Sequence, residues 1–137
     1  MNVVIDTNII LVSLSRRSKT HWVFERFLNQ EFTLCLTTDI LNEYVEIIGQ
    51  HLGQEAVDLF LQTIEEAENI RYITRYFEWR LIIADPDDNK FVDCAVAANA
   101  QLIVTEDKHF NILHTIPFPK VNVVGVDTFK GYFDNTD

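Results

Sequence analysis

Cysteine is scarce in this 137-residue chain, with only Cys35 and Cys94 present. Each sits inside an apolar segment, so both read as reduced core thiols rather than a disulfide framework. The four histidines, His21, His51, His109 and His114, show no metal-ligand spacing, which argues against a zinc site. Long hydrophobic runs are missing. The longest, within residues 8–14 and 94–98, fall far below the ~20 residues of a membrane span. No basic segment followed by an apolar one opens the chain, so no signal peptide is expected, and the cytoplasm is the expected compartment. Internal repeats, low-complexity tracts and linkers are absent too. Positive charge is the last shortage. Eleven basic against 21 acidic residues give a net charge of −10, which opposes binding to a polyanion unless something local offsets it.

What is present is an ordinary globular composition, 47% hydrophobic, in a length that fits one domain spanning 1–137 with fraying from about 134. Short β-branched runs alternate with longer helical patterns. Residues 3–5, 32–36, 70–73, 102–105 and 121–124 read as strands. Helical patterns start near Ile9, closed by Arg16, Arg17 and Lys19, and near Trp22. Others span 39–52, ended by Gly53, and 54–67. A further helix follows the turn Asp85-Pro86-Asp87-Asp88-Asn89 and runs to about Ala100. Residues 108–113 read as a short helix or turn, and 126–133 as a terminal helix. Strands apolar throughout and alternating with helices predict an α/β domain with a parallel sheet covered on both faces.

Certain acids stand in surroundings wrong for surface carboxylates. Asp6 directly follows Val3-Val4-Ile5, and Asp107 lies just past Leu102-Ile103-Val104-Thr105. Both therefore reach the carboxyl edge of the sheet, where doubly wound folds bind ligands. Glu43 has Ile40 and Ile47 as helical neighbours and faces the apolar side, whereas Glu46 faces solvent. Asp93 sits within Phe91–Ala98, an almost wholly apolar stretch. Taken singly, each has a structural explanation as a turn residue, cap or hydrogen-bonded acid. Four carboxylates converging to about 6 Å would repel by roughly 3 kcal/mol per pair at an effective dielectric near 20. Such a set calls for a cation, and all-oxygen ligands select hard ions such as Mg²⁺ or Mn²⁺.

Val3–Asn8 (VVIDTN), the helical Glu43, Val92–Ala100 (VDCAVAANA) and Leu102–Phe110 (LIVTEDKHF) together resemble the PIN-domain family in order and spacing, over about residues 3–130. The Asp-Pro-Asp-Asp-Asn preface to the third motif is similar to a branch of toxins related to the VapC type. The resemblance implies a three-layer α/β/α sandwich and a ribonuclease dependent on Mg²⁺ or Mn²⁺. It also implies an antitoxin partner and a homodimer. Carried over, Asp6, Glu43, Asp93 and Asp107 form the catalytic and metal-binding set, with Asn8 and Thr105 as supporting polar residues. Asp88 is a further candidate ligand. Five residues correspond to about 140° of net helical rotation, so Asp88 and Asp93 cannot share a helical face, although a cap position would let Asp88 lean toward the site. Asp93 ranks above it here, and Asp87 reads as a plain turn residue. Lys108 and His109, then Arg16 and Arg17, are the candidate substrate contacts. The alternative is a PIN-like protein-binding module with little nuclease activity, suited by its acidity to a basic partner and by Phe77 and Trp79, in the segment 76–80, to surface contact. Aspartate-nucleophile phosphatases and receiver domains fit less well, because Asn8 stands where the former carry a second aspartate and no suitably placed late lysine follows.

Overall fold

The computed structural model describes residues 1–74 and 77–134. Tyr76 and the last three positions of the expected frayed tail lie outside these. The strands are β1 (Asn2–Ile5), β2 (Thr33–Leu36), β3 (Ile70–Tyr72), β4 (Leu102–Val104) and β5 (Val123–Val124). They form one five-stranded sheet in the order β3-β2-β1-β4-β5, with every pairing parallel. Helices α1 (Thr7–Ser13), α2 (His21–Leu28), α3 (Thr38–Leu52), α4 (Gln54–Glu66), α5 (Asn89–Ala98) and α6 (Val126–Gly131) connect them and cover both faces of the sheet. The central strands are apolar at successive positions because both faces are covered, and Val3, Val4, Ile103 and Val104 are fully buried. Cys35 and Cys94 are free, buried thiols, and burial raises the Cys35 pKa.

The chain order of the strands reverses between β1 and β4. From β1 the chain steps outward to β2 and β3, then returns to the other side of β1 for β4 and β5. The carboxyl ends of β1 and β4 thus flank a topological switch point, where the crossovers diverge and leave a crevice. Register locks the two ends together: Ile5 pairs with Val104, and the Asp6 amide donates to the Val104 carbonyl at 3.0 Å.

Local chemistry explains the boundaries. Thr37 caps α3, its hydroxyl accepting from the Ile40 amide at 3.3 Å. Gly53, at φ 88°, ends α3 and starts α4 in one residue, a conformation that glycine adopts without a steric penalty. Asn99 closes α5 in the left-handed region. Some elements are shorter than expected. Helix α1 ends at Ser13, whose hydroxyl turns back to the Ile10 carbonyl at 2.7 Å, so Arg16, Arg17 and Lys19 belong to the following loop rather than to its last turn. Strand β5 begins at Val123, not Val121. Helix α6 stops at Gly131, yet Phe133 stays buried against Trp22, Phe32 and Phe129. Among the described residues, no helix is long and apolar enough to cross a membrane.

Candidate metal centre

Asp6 leaves β1 at the switch point and is 6% exposed. Its carbonyl accepts from the Ile9 and Ile10 amides, so the same residue that ends the strand anchors the start of α1. Its carboxylate accepts from the Thr105 hydroxyl at 2.7 Å, and the Asp107 amide donates to that hydroxyl oxygen at 3.0 Å. Thr105 therefore bridges the two strand-end acids. Burial raises the Asp6 pKa, helped by the charges of Asp107 and Glu43 and opposed by the Thr105 and Thr7 hydrogen bonds.

Glu43 comes from α3, which is fixed against β1 by the buried Tyr44 hydroxyl donating to the Ile5 carbonyl at 2.5 Å. Both Glu43 oxygens are engaged. The Thr7 hydroxyl donates to Oε2, and Lys90 Nζ lies 2.7 Å from Oε1. Lys90 also donates to the Asp87 carbonyl at 2.8 Å and pairs with the Asp87 carboxylate at 3.0 Å. Burial works against the lysine charge, but Glu43 and Asp87 outweigh it and raise the Lys90 pKa. Lys90 in turn holds the Asp87 carboxyl below its ordinary range. Asp87 is thus the brace of a buried lysine, not a plain turn residue.

Asp88 ends the 3-10 turn Pro86–Asp88, which Asp85 caps by accepting from the Asp87 amide at 3.2 Å. Because Asp88 precedes α5, the rotation rule for helical faces does not apply to it. It is 9% exposed, and its Oδ2 is buried without a hydrogen-bond partner. Its pKa is pushed up to about 7, first by burial and then by Asp107, Asp85 and Asp6. An orphaned buried carboxylate oxygen among like charges is costly unless a cation compensates it. Asp85, Asp88 and His109 each direct a ligand atom to within 4.8 Å of the others. His109 Nδ1 lies 3.4 Å from Asp107, 3.7 Å from Asp88 and 3.9 Å from Asp85. The donor set fits a divalent cation, with mostly hard oxygens and one imidazole nitrogen.

Asp93 is buried at 2% exposure and accepts from the Trp79 amide at 3.0 Å. One turn earlier, Asn89 exchanges two hydrogen bonds with the Ile82 backbone, at 2.9 and 2.8 Å. This face of α5 therefore grips the segment 79–82, which walls an open groove of about 880 Å³ alongside Glu43, Lys90 and Asp93. The charges that act on Asp88 come from Asp107, Asp85 and Asp6. The structure thus draws Asp6, Glu43, Asp88 and Asp107 together, and it engages Asp93 with the groove wall.

The remaining candidates are spread out. Asn8 is exposed and lines a separate cavity with Lys19, Trp22 and Glu106. Arg16 and Arg17 are exposed on the loop between α1 and α2, and Lys108 is exposed beside Asp107. His109 turns toward the acids. Sequence reasoning missed Thr7, Asp85 and the ligand geometry of His109. Thr7 and Asp85 stand inside motifs already singled out, but His109 meets its partners only through the fold.

A family model described as PIN domain matches residues 2–109. No curated protein sequence is a significant match. Among solved structures, VapBC2 from Rickettsia felis, bound to a DNA fragment from its promoter, is 16% identical with a TM-score of 0.64, covering 91% of this chain and 98% of that one. DNA-bound VapBC from Salmonella typhimurium is 13% identical with a TM-score of 0.61, covering 92% and 98%. Mycobacterium tuberculosis VapC20, a toxin that cleaves the sarcin-ricin loop, is 13% identical with a TM-score of 0.57, covering 88% and 98%.

Proposed function

The chain belongs to the PIN domain family, and on that premise we propose that it is an endoribonuclease dependent on Mg²⁺ or Mn²⁺, the toxin of a toxin–antitoxin pair. The observation that carries this reading is the buried Asp88 oxygen that accepts no hydrogen bond, set among Asp6, Asp85 and Asp107 with the His109 ring 3.7 Å away. Asp6, Asp88 and Asp107 are assigned to hold the ion, and Asp85 and His109, whose ligand atoms lie within 4.8 Å of one another and of Asp88's, would be further donors beside Glu43. Asp88 replaces Asp93 in the set expected from sequence. A divalent ion bound there supplies charge to offset the phosphate and acidify water.

The chain's own groups do the rest. The Thr105 hydroxyl orients Asp6 and opposes the upward pull of burial on its pKa, so its carboxylate could position a water or receive its proton. The ring of His109 is spent on the acids, which leaves Lys108 on the rim as the nearer phosphate contact. Arg16 and Arg17 serve only if substrate extends over α1. A small antitoxin is the inferred partner. The groove beside Glu43, with Asp39, Glu46 and Glu78 on its walls, suits a basic segment of such a protein. A cytoplasmic homodimer remains part of the proposal by kinship with the toxin branch.

The test is cleavage of a mixed panel of labelled RNAs by purified protein with Mg²⁺, Mn²⁺ or chelator. Metal-dependent cutting that disappears in Asp6→Asn and Asp88→Asn is the expected result. Cutting that persists in chelator or in both variants would refute the assignment. A folded, metal-binding wild type that cuts none of the panel would favour the protein-binding reading.

A further inference from the structure

Lys90 is an unusual residue to find against a centre built for cations. It is 9% exposed, and its ammonium faces three acceptors: Glu43 Oε1 at 2.7 Å, Asp87 Oδ2 at 3.0 Å and the Asp87 carbonyl at 2.8 Å. An ammonium has three donors, so its capacity is filled and it has no reason to move away. The opposite oxygen of Glu43 is held by Thr7. Glu43 is therefore neutralised in place by the protein, whereas the Asp88 Oδ2 accepts no hydrogen bond and has only the His109 ring near it, with Nδ1 at 3.7 Å. The two sides of the centre differ in kind, one satisfied by a buried ammonium and a hydroxyl and the other an acidic cluster with only the His109 ring against it.

Both sides are set by one short stretch of chain. Asp88 closes the 3-10 turn and Lys90 follows two residues later in the first turn of α5. The turn therefore delivers a carboxylate to the Asp107 side and an ammonium to the Glu43 side. A divalent ion drawn to Glu43 would meet that ammonium at close range and would have to break a half-buried ion pair to bind. Removing one partner of such a pair leaves the other buried and uncompensated.

We propose that Lys90 is a resident cation occupying the place of a second divalent ion, so that the centre binds a single ion on the Asp6–Asp88–Asp107 side. Glu43 is then a positioning residue that holds Lys90 and Thr7 rather than a ligand. A phosphate entering the centre is faced by the ion on one side and by the Lys90–Glu43 pair on the other. This inference rests on the nuclease reading above, and its test counts ions instead of cleavage.

The experiment is calorimetric titration of the full chain with Mn²⁺, beside Lys90→Met, Lys90→Arg, Glu43→Gln and Asp88→Asn. The wild type and Lys90→Arg should bind one ion. Lys90→Met frees Glu43 and should bind a second ion, which the double variant Lys90→Met/Glu43→Gln loses again. Glu43→Gln alone should keep the single ion with less than about a tenfold change in affinity, whereas Asp88→Asn should weaken it by roughly 100-fold or more. If Lys90→Met does not fold, the contrast between Glu43→Gln and Asp88→Asn decides the matter. Two ions in the wild type, one of them lost in Glu43→Gln, would overturn the inference. So would a single ion in folded Lys90→Met up to millimolar Mn²⁺. No bound ion in any protein would overturn both the inference and the nuclease reading beneath it.

Discussion

Asp88 carries a carboxylate oxygen that water scarcely reaches and no donor satisfies, and its pKa of about 7 turns that cost into a measurable pH dependence. An acid whose folded pKa lies above its unfolded value holds its proton longer in the native state. Its contribution to stability is therefore present near pH 4 and is lost as the pH rises toward 7. In chelator, Asp88→Asn should melt above the wild type at pH 8, with the advantage shrinking toward pH 5. A shift of several degrees corresponds to a gain of ~1 kcal/mol. With Mn²⁺ present the order should reverse, because the ion stabilises the wild type and not the variant. Thermal melts at both pH values, with and without metal, check both signs. The place of Asp6 and Asp107 at the carboxyl edge of the sheet was legible in the sequence because each follows an apolar strand, and strand ends converge at a switch point. The surroundings of Asp88 in the sequence did not reveal its buried carboxylate oxygen, since an apolar flank marks burial without saying what the carboxylate meets. Asp93 has the more apolar flank and meets a backbone amide.

Helix α5 works on two fronts, and this division was invisible to periodicity. Its amino end presents Asp88 and Lys90 to the centre, while Asn89 and Asp93, four residues apart on one face, hold the backbone of Trp79 and Ile82. Asn89→Ala removes both bonds to Ile82 and should cost about 1–3 kcal/mol, the range for buried polar groups left unpaired. Limited proteolysis should then cut faster within 77–85 than in the wild type. Asp93→Ala removes the acceptor for the Trp79 amide and should loosen the same loop, with Mn²⁺ binding preserved. Equal sensitivity of the two variants and the wild type would contradict this account of the groove wall. The elements themselves were legible wherever one residue type forces a boundary, as at Gly53 and at Asp85-Pro86. They were less so at α1, where Ser13 ends the helix through its own hydroxyl before the basic residues arrive.

A net charge of −10 sets the character of the whole molecule. The chain as it stands should bind RNA more weakly than the roughly 10⁻⁴ M limit of ordinary non-specific binding, with little salt dependence because few phosphates are neutralised. Fluorescence anisotropy with labelled RNA in chelator, across a salt series, should show this. A steep salt slope would instead reveal a basic surface. The same acidity favours a basic protein partner, whose association should speed up as ionic strength falls. The α/β/α arrangement was legible from the alternation of strands and helices. The assembly of Asp85, Asp88 and His109 was not, since His109 stands 21 or more positions from either acid and meets them only after β4 returns beside β1.

The most direct measurement of the central claim is an anomalous difference map from crystals soaked in Mn²⁺. The account predicts a peak coordinated by Asp88 Oδ2 together with Asp6 or Asp107, and none at Asp93. A peak held by Asp93, or an ordered centre with no peak at saturating Mn²⁺, would contradict it.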